Sequence, residues 1–149
     1  MKLVDSIGSV LRVKGHEVWH VAPTATVFDA IRKMSIKSVG ALLVMSDGQL
    51  EGIISERDYA RKVILQDRAS RNTRVREIMT ATVVTVTPQD TVEECMRLMT
   101  EHRIRHLPVL AGNQVIGIVS IGDLVKWTIK AQEETIEQLE GYISGAYPR

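Results

Sequence analysis

Shifted by 65 residues, the chain aligns with itself: positions 21–60 match 86–125 without a gap, and 13 of the 40 pairs are identical. They include Val21/Val86, Pro23/Pro88, Thr26/Thr91, Val27/Val92, Met34/Met99, Val44/Val109, Gly52/Gly117, Ser55/Ser120 and Asp58/Asp123. Apolar positions stay apolar even where identity is lost. A tandem duplication in 149 residues requires two small units of one design. Each spans about 45 residues, near the limit below which a core is too small to stand alone. The halves must therefore share buried surface, and like halves are expected to pack about a pseudo-twofold axis.

Periodicity supplies the design. Val27, Ala30, Ile31 and Met34, and in the second copy Val92, Cys95, Met96 and Met99, repeat at i, i+3, i+4, i+7, which predicts a helix with one buried stripe. Thr26 and Thr91 stand at the N-cap positions. Two apolar runs separated by turn residues follow each helix: 41–45 and 50–55 around Ser46-Asp47-Gly48, then 107–110 and 115–120 around Ala111-Gly112-Asn113. Each pair predicts a hairpin. A second helix closes each unit, with Tyr59, Ala60, Val63 and Ile64 matching Leu124, Val125, Thr128 and Ile129. Short strands over 18–21 and 83–86, ended by Pro23 and Pro88, are expected ahead of the first helices. The fold class is α+β: two β-α-β-β-α repeats.

Only six aromatic residues are present, so the core rests on Val, Ile, Leu, Met and Ala. Cys95 is the single cysteine, which excludes an intramolecular disulfide and any multi-cysteine metal site. It replaces Ala30 and reads as a small core side chain rather than a reactive thiol. Nineteen basic against eighteen acidic residues leave a net charge of +1, with no global case for nucleic acid or an anionic membrane as partner. Without a long uninterrupted apolar run, neither a signal peptide nor a membrane span is supported, and a cytoplasmic location is expected.

The boundaries read as an N-terminal segment over 1–15, repeats over 16–66 and 78–130, a linker over 67–77 and a helical tail over 131–149. The linker carries Arg68, Arg71, Arg74 and Arg76 without interleaved aromatics, which reads as a solvated connection. The tail extends the last helix, and Ile136, Leu139 and Ile143 at helical spacing suit a partner subunit.

The strongest local signal is Gly52-Ile53-Ile54-Ser55-Glu56-Arg57-Asp58, repeated as Gly117-Ile118-Val119-Ser120-Ile121-Gly122-Asp123. Ser-x-x-Asp at a strand-to-helix junction is a capping box. It also suits a ligand, since a helix start with a hydroxyl accepts a phosphate and a nearby aspartate accepts from a ribose diol. Capping accounts for the serine and the acid but not for the recurring glycine, which permits a close backbone approach.

In tandem, Gly-hydrophobic-x-Ser-x-x-Asp at the end of each unit resembles a pair of cystathionine-β-synthase (CBS) domains. Further matches are Ile78-Met79-Thr80 before Val84-Thr85-Val86-Thr87-Pro88, and His102-Arg103-Ile104-Arg105-His106-Leu107-Pro108-Val109. The resemblance covers nearly the whole chain and is similar in layout to stand-alone bacterial and plant-organelle pairs. It implies two clefts that bind AMP, ADP, ATP, S-adenosylmethionine or NAD(H) as regulatory ligands, AMP first among them here.

Carried over by position, the first cleft would use Asp58 for ribose hydroxyls and Ser55 with Arg57 near phosphate, opposed by Thr80, Thr82, Val84, Arg105 and His106. The mirror cleft would use Ser120 and Asp123 with Lys14, Trp19, Val39, Gly40 and Ala41. Gly40-Ala41 stands where Arg105-His106 stand, and Gly122 where Arg57 does, so the clefts differ in charge. Trp19 also reads as core filling, and Arg105 as a partner of Glu101.

His102 and His106 are four apart, but Pro108 places His106 at a strand entrance, so no metal is required. Neither serine has a local histidine to activate it, and no enzyme activity is expected. The expected function is a homodimeric adenine-nucleotide sensor acting on an effector protein that the sequence does not identify. The alternative is an interaction scaffold whose serines only cap helices.

Overall fold

In the computed structural model, which describes residues 2–144, the chain runs α1 (Ile7–Lys14), β1 (His20–Val21), α2 (Val27–Lys37), β2 (Ala41–Ser46), β3 (Gln49–Ser55), α3 (Glu56–Tyr59), α4 (Val75–Ile78), α5 (Val92–His102), β4 (His106–Ala111), β5 (Gln114–Ser120) and α6 (Ile121–Ser144). A π-turn at Ala60–Ile64 continues α3, and a 3-10 turn at Ser70–Asn72 precedes α4.

The first helix of each repeat starts where its threonine caps it. Thr26 Oγ1 accepts from the Asp29 amide and Thr91 Oγ1 from the Glu94 amide, both at 3.1 Å. The predicted stripes face inward: Val27, Ala30 and Met34 are buried on α2, and Val92, Cys95 and Met99 on α5. Cys95 is fully buried, and burial first, then the charges of Asp90 and Glu94, push its thiol up to about 12. Both hairpins form, with Val44 opposite Gly52 and Val109 opposite Gly117. Each slips register at the same place, between Val44 and Met45 and between Val109 and Leu110.

The duplication is less exact ahead of the first helices. Only His20–Val21 forms a strand, parallel to β2, with the Leu43 amide donating to the Trp19 carbonyl at 3.1 Å. The strand expected over 83–86 reduces to a single bridge, Val86 with Val109. The position of Leu43 is held in the second copy by Pro108, which has no amide to donate, so the ladder loses that bond.

The segments outside the aligned repeats exchange partners. Ile7, Val10 and Leu11 of α1 pack in the second repeat's core with Val92, Leu107, Val119 and Leu124. Val75 and Ile78 of α4 pack in the first repeat's core with Val27, Leu42, Ile54 and Val63. Matching bonds anchor them: Ile7 N to Asp90 O and Gly8 N to Pro88 O, against Val75 N to Ala25 O and Arg76 N to Pro23 O. Each half is thus closed by the segment that precedes the other.

The linker is accordingly only partly solvated. Thr73 and Val75 are buried, Arg68 pairs with Glu77 at 3.0 Å, Arg71 lies 3.8 Å over the Phe28 ring, and Arg74 donates to the Thr24 carbonyl at 3.2 Å. These arginines tie the connection down rather than present a free basic patch.

Candidate functional site

The two strand-to-helix junctions are built alike. The Asp58 amide donates to Ser55 Oγ at 3.2 Å while the Ser55 amide donates to Asp58 Oδ2 at 2.9 Å. In the second copy the Asp123 amide donates to Ser120 Oγ at 3.1 Å and the Ser120 amide to Asp123 Oδ2 at 2.8 Å. Both are complete capping boxes.

The recurring glycine has a packing cause. A Cβ on Gly52 would lie 2.7 Å from Met79 Sδ and 2.9 Å from the Thr80 carbonyl oxygen, and one on Gly117 would lie 2.8 Å from Leu11 Cδ2. The close approach is that of the exchanged segments, which cross the strands at these points: Ile53 and Thr80 exchange backbone bonds of 3.0 and 2.9 Å.

Each junction opens on a cleft between the halves. All eight residues assigned by sequence to the first cleft, Ser55, Arg57, Asp58, Thr80, Thr82, Val84, Arg105 and His106, line one cavity of about 620 Å³. The seven assigned to the second, Lys14, Trp19, Val39, Gly40, Ala41, Ser120 and Asp123, line another of about 390 Å³. Gly40 and His106 line both and form the partition between them, which the one-cleft assignments did not anticipate.

Three further cations reach the first cleft: Arg61, Lys62 and Arg103. Arg61 and Lys62 lie three and four positions beyond Asp58, a helical spacing that was readable; Arg103 is placed by the left-handed end of α5, where its φ is 54°. Asp58 Oδ1 pairs with Lys62 Nζ at 3.1 Å, and Arg57 donates to the Arg103 carbonyl at 2.9 Å, joining the halves. Arg105 forms no ion pair among the described residues, so the pairing with Glu101 is not made. With Glu56 and Asp58, the lining holds five cations against two acids. Ile53, Val83, Val84 and Ile104 supply its apolar walls.

The second cleft is balanced, with Lys14 and Lys37 against Glu17 and Asp123. Lys14 Nζ donates to Asp123 Oδ2 at 2.5 Å and to the Ile118 carbonyl at 2.6 Å. Burial raises the Asp123 carboxyl, but the Lys14 and Ser120 hydrogen bonds outweigh it and the net shift is downward. Trp19 is both core and lining: it packs against the first repeat's cluster and carries Lys37 Nζ 4.2 Å from its ring centroid.

His106 does not add to the cations of the first cleft. Burial first, then the Lys14 charge, hold its imidazole below the ordinary value, with Arg105 adding to the effect and Asp123 opposing it. Near neutral pH it is an uncharged donor and acceptor. His102 ends α5 and His106 begins β4, so the two do not share a helix.

Compared with known proteins, residues 11–65 and 75–130 each match the family model described as the CBS domain. The chain belongs to the CBS-domain family. It is 43% identical over 151 residues to the mitochondrial CBS domain-containing protein CBSX3 of Arabidopsis thaliana, covering 95% of this chain and 73% of the relative. Among solved structures, a putative signal-transduction protein with CBS domains from Burkholderia ambifaria MC40-6 is 51% identical, with a TM-score of 0.82 over 85% of this chain and 96% of that one. The CBS domain pair of protein MJ0100, in complex with 5'-methylthioadenosine and S-adenosyl-L-methionine, shares the fold at 22% identity and a TM-score of 0.74, over 83% of this chain and 95% of that one. This CBS pair has, among its described residues, no helix long and apolar enough to cross a membrane.

Proposed function

We propose that this CBS pair is a non-enzymatic regulatory module that binds an adenine nucleotide in the cleft of Asp58. The observation that carries the reading is charge: five cations converge on an apolar-walled cavity whose one strand-to-helix junction presents Ser55 and Asp58. Arginine and lysine suit phosphate oxygens, Asp58 suits a ribose diol, and the Ile53 and Val84 side chains suit the faces of a purine. The adenosine moiety common to the two molecules in the MJ0100 complex agrees with this ligand class. AMP is the first candidate, with NAD(H), ADP and ATP as longer relatives. The nucleotide bridges the halves, so its binding favours one relative angle between them, and an effector protein reads that change.

The completed capping boxes support a second reading, a scaffold with empty clefts, because each serine and aspartate is already satisfied. Titration calorimetry with AMP, ATP and NADH separates the two. The sensor gives saturable heat with at least one of them and a rise in melting temperature. The absence of both with all three ligands leaves the scaffold.

A further inference from the structure

Beyond the clefts, α6 carries two faces with different fates. Leu124 and Trp127 are buried against the second repeat, with Thr128 beside them. A quarter turn away, Val125, Ile129, Ile136, Leu139 and Ile143 are exposed, the last three at 54%, 58% and 81%. Helical geometry places these five, with Gln132, in one stripe about 80° wide that runs from the domain to the end of the described helix. Their spacing alternates four and three: Ile129, Ile136 and Ile143 fall at a, and Val125, Gln132 and Leu139 at d, of one heptad register. An a/d stripe is the narrow seam of a coiled coil, not the wider face that packs onto a globular core.

We infer that α6 pairs with α6 of a second copy of this chain as a parallel, in-register, two-stranded coiled coil. Isoleucine at every a position, with Leu139 at the last d position, favours two strands. Gln132 decides the direction. In an antiparallel pair each d residue faces a partner's a residue, so Gln132 would always meet isoleucine and bury its amide unpaired. In the parallel register Gln132 meets Gln132 and the two amides bond each other. The flanking pairs in that register, Thr128 with Glu133 and Thr135 with Glu140, bring no like charges together.

The test is oxidative cross-linking of full-length chains that each carry one introduced cysteine. The native Cys95 is buried with a raised thiol and stays silent. Ile136→Cys, at an a position, is expected to form a disulfide-linked dimer roughly tenfold faster than Glu137→Cys, which lies about 100° further round the helix at an outward b position, because only the former brings its Cβ atoms within disulfide reach. Sedimentation of the unmodified chain is expected to give twice the monomer mass. A monomer, no cross-link at position 136, or equal rates at 136 and 137 overturns the inference. None of these results depends on whether a nucleotide binds.

Discussion

Lys14 Nζ lies 2.5 Å from Asp123 Oδ2 in the second cleft, and the same ammonium holds the Ile118 carbonyl at 2.6 Å. Judged by the exchanged segments, in which Ile7 matches Val75, Lys14 stands where Thr82 stands in the other half. A long cation thus occupies the space that a hydroxyl leaves open in the first cleft. It pairs with Asp123 much as Lys62 pairs with Asp58, but from the position of Thr82 it also fills part of the smaller cavity.

The wild-type chain is therefore expected to bind one nucleotide per chain, in the cleft of Asp58. Lys14→Ala frees Asp123 and enlarges the second cleft, so calorimetric stoichiometry should rise from one toward two. A stoichiometry of two before the substitution, or of one after it with Asp123 unpaired, refutes the block.

Asp58→Ala removes the acid that faces the first cleft and one half of its capping box. Loss of a charge-assisted hydrogen bond to the ligand should weaken nucleotide binding by about 10- to 100-fold. Loss of the cap should cost about 1 kcal/mol of stability, read by denaturant unfolding. Asp123→Ala is the control: it should leave affinity at the first cleft unchanged. Equal losses for the two variants would mean that the clefts are equivalent, against their lining charges.

His106 sits on the partition between the clefts with its imidazole held neutral. Its folded value lies below the unfolded one, so protonation disfavours the folded state. The penalty is absent above the ordinary imidazole value near 6.5 and grows as pH falls through it toward the folded value. Stability of the unliganded chain should decline over that range, and His106→Asn should flatten the decline. A bound phosphate in the first cleft counters the Lys14 and Arg105 charges, so the histidine's NMR titration should move upward with nucleotide. A titration unmoved at saturation would place the phosphate elsewhere.

The register of the repeat made most of this architecture legible. Thr26 and Thr91, the α2 and α5 stripes and both hairpins stand where periodicity placed them, because local hydrogen bonding and side-chain spacing set them. Two things were hidden. The exchanged segments keep their correspondence only after a three-residue change of offset, 68 in place of 65, so α1 and α4 fall outside the gapless alignment. Their partners are set by tertiary packing, which no local pattern reports. The shared partition of Gly40 and His106 was hidden for a related reason: each residue has one place in the chain, but its position on the dividing wall gives it two cavities.

That packing makes an unequal pair of predictions for the two matched glycines. A methyl on Gly52 meets the Thr80 carbonyl oxygen at 2.9 Å, and this oxygen is fixed by its bond from the Ile53 amide, so it cannot yield without breaking the bridge between the halves. A methyl on Gly117 meets the Cδ2 and Cδ1 atoms of Leu11 at 2.8 and 2.9 Å, the far end of a side chain that can change rotamer. Gly52→Ala should therefore cost about 2–3 kcal/mol and Gly117→Ala about 1 kcal/mol. Because Thr80 lines the first cleft, Gly52→Ala should also weaken nucleotide binding, while Gly117→Ala should not. Urea unfolding with calorimetry on both variants checks the order. Equal costs would mean that the Thr80 crossing is no more rigid than the Leu11 side chain, and that the two halves are joined less firmly there than their hydrogen bonds indicate.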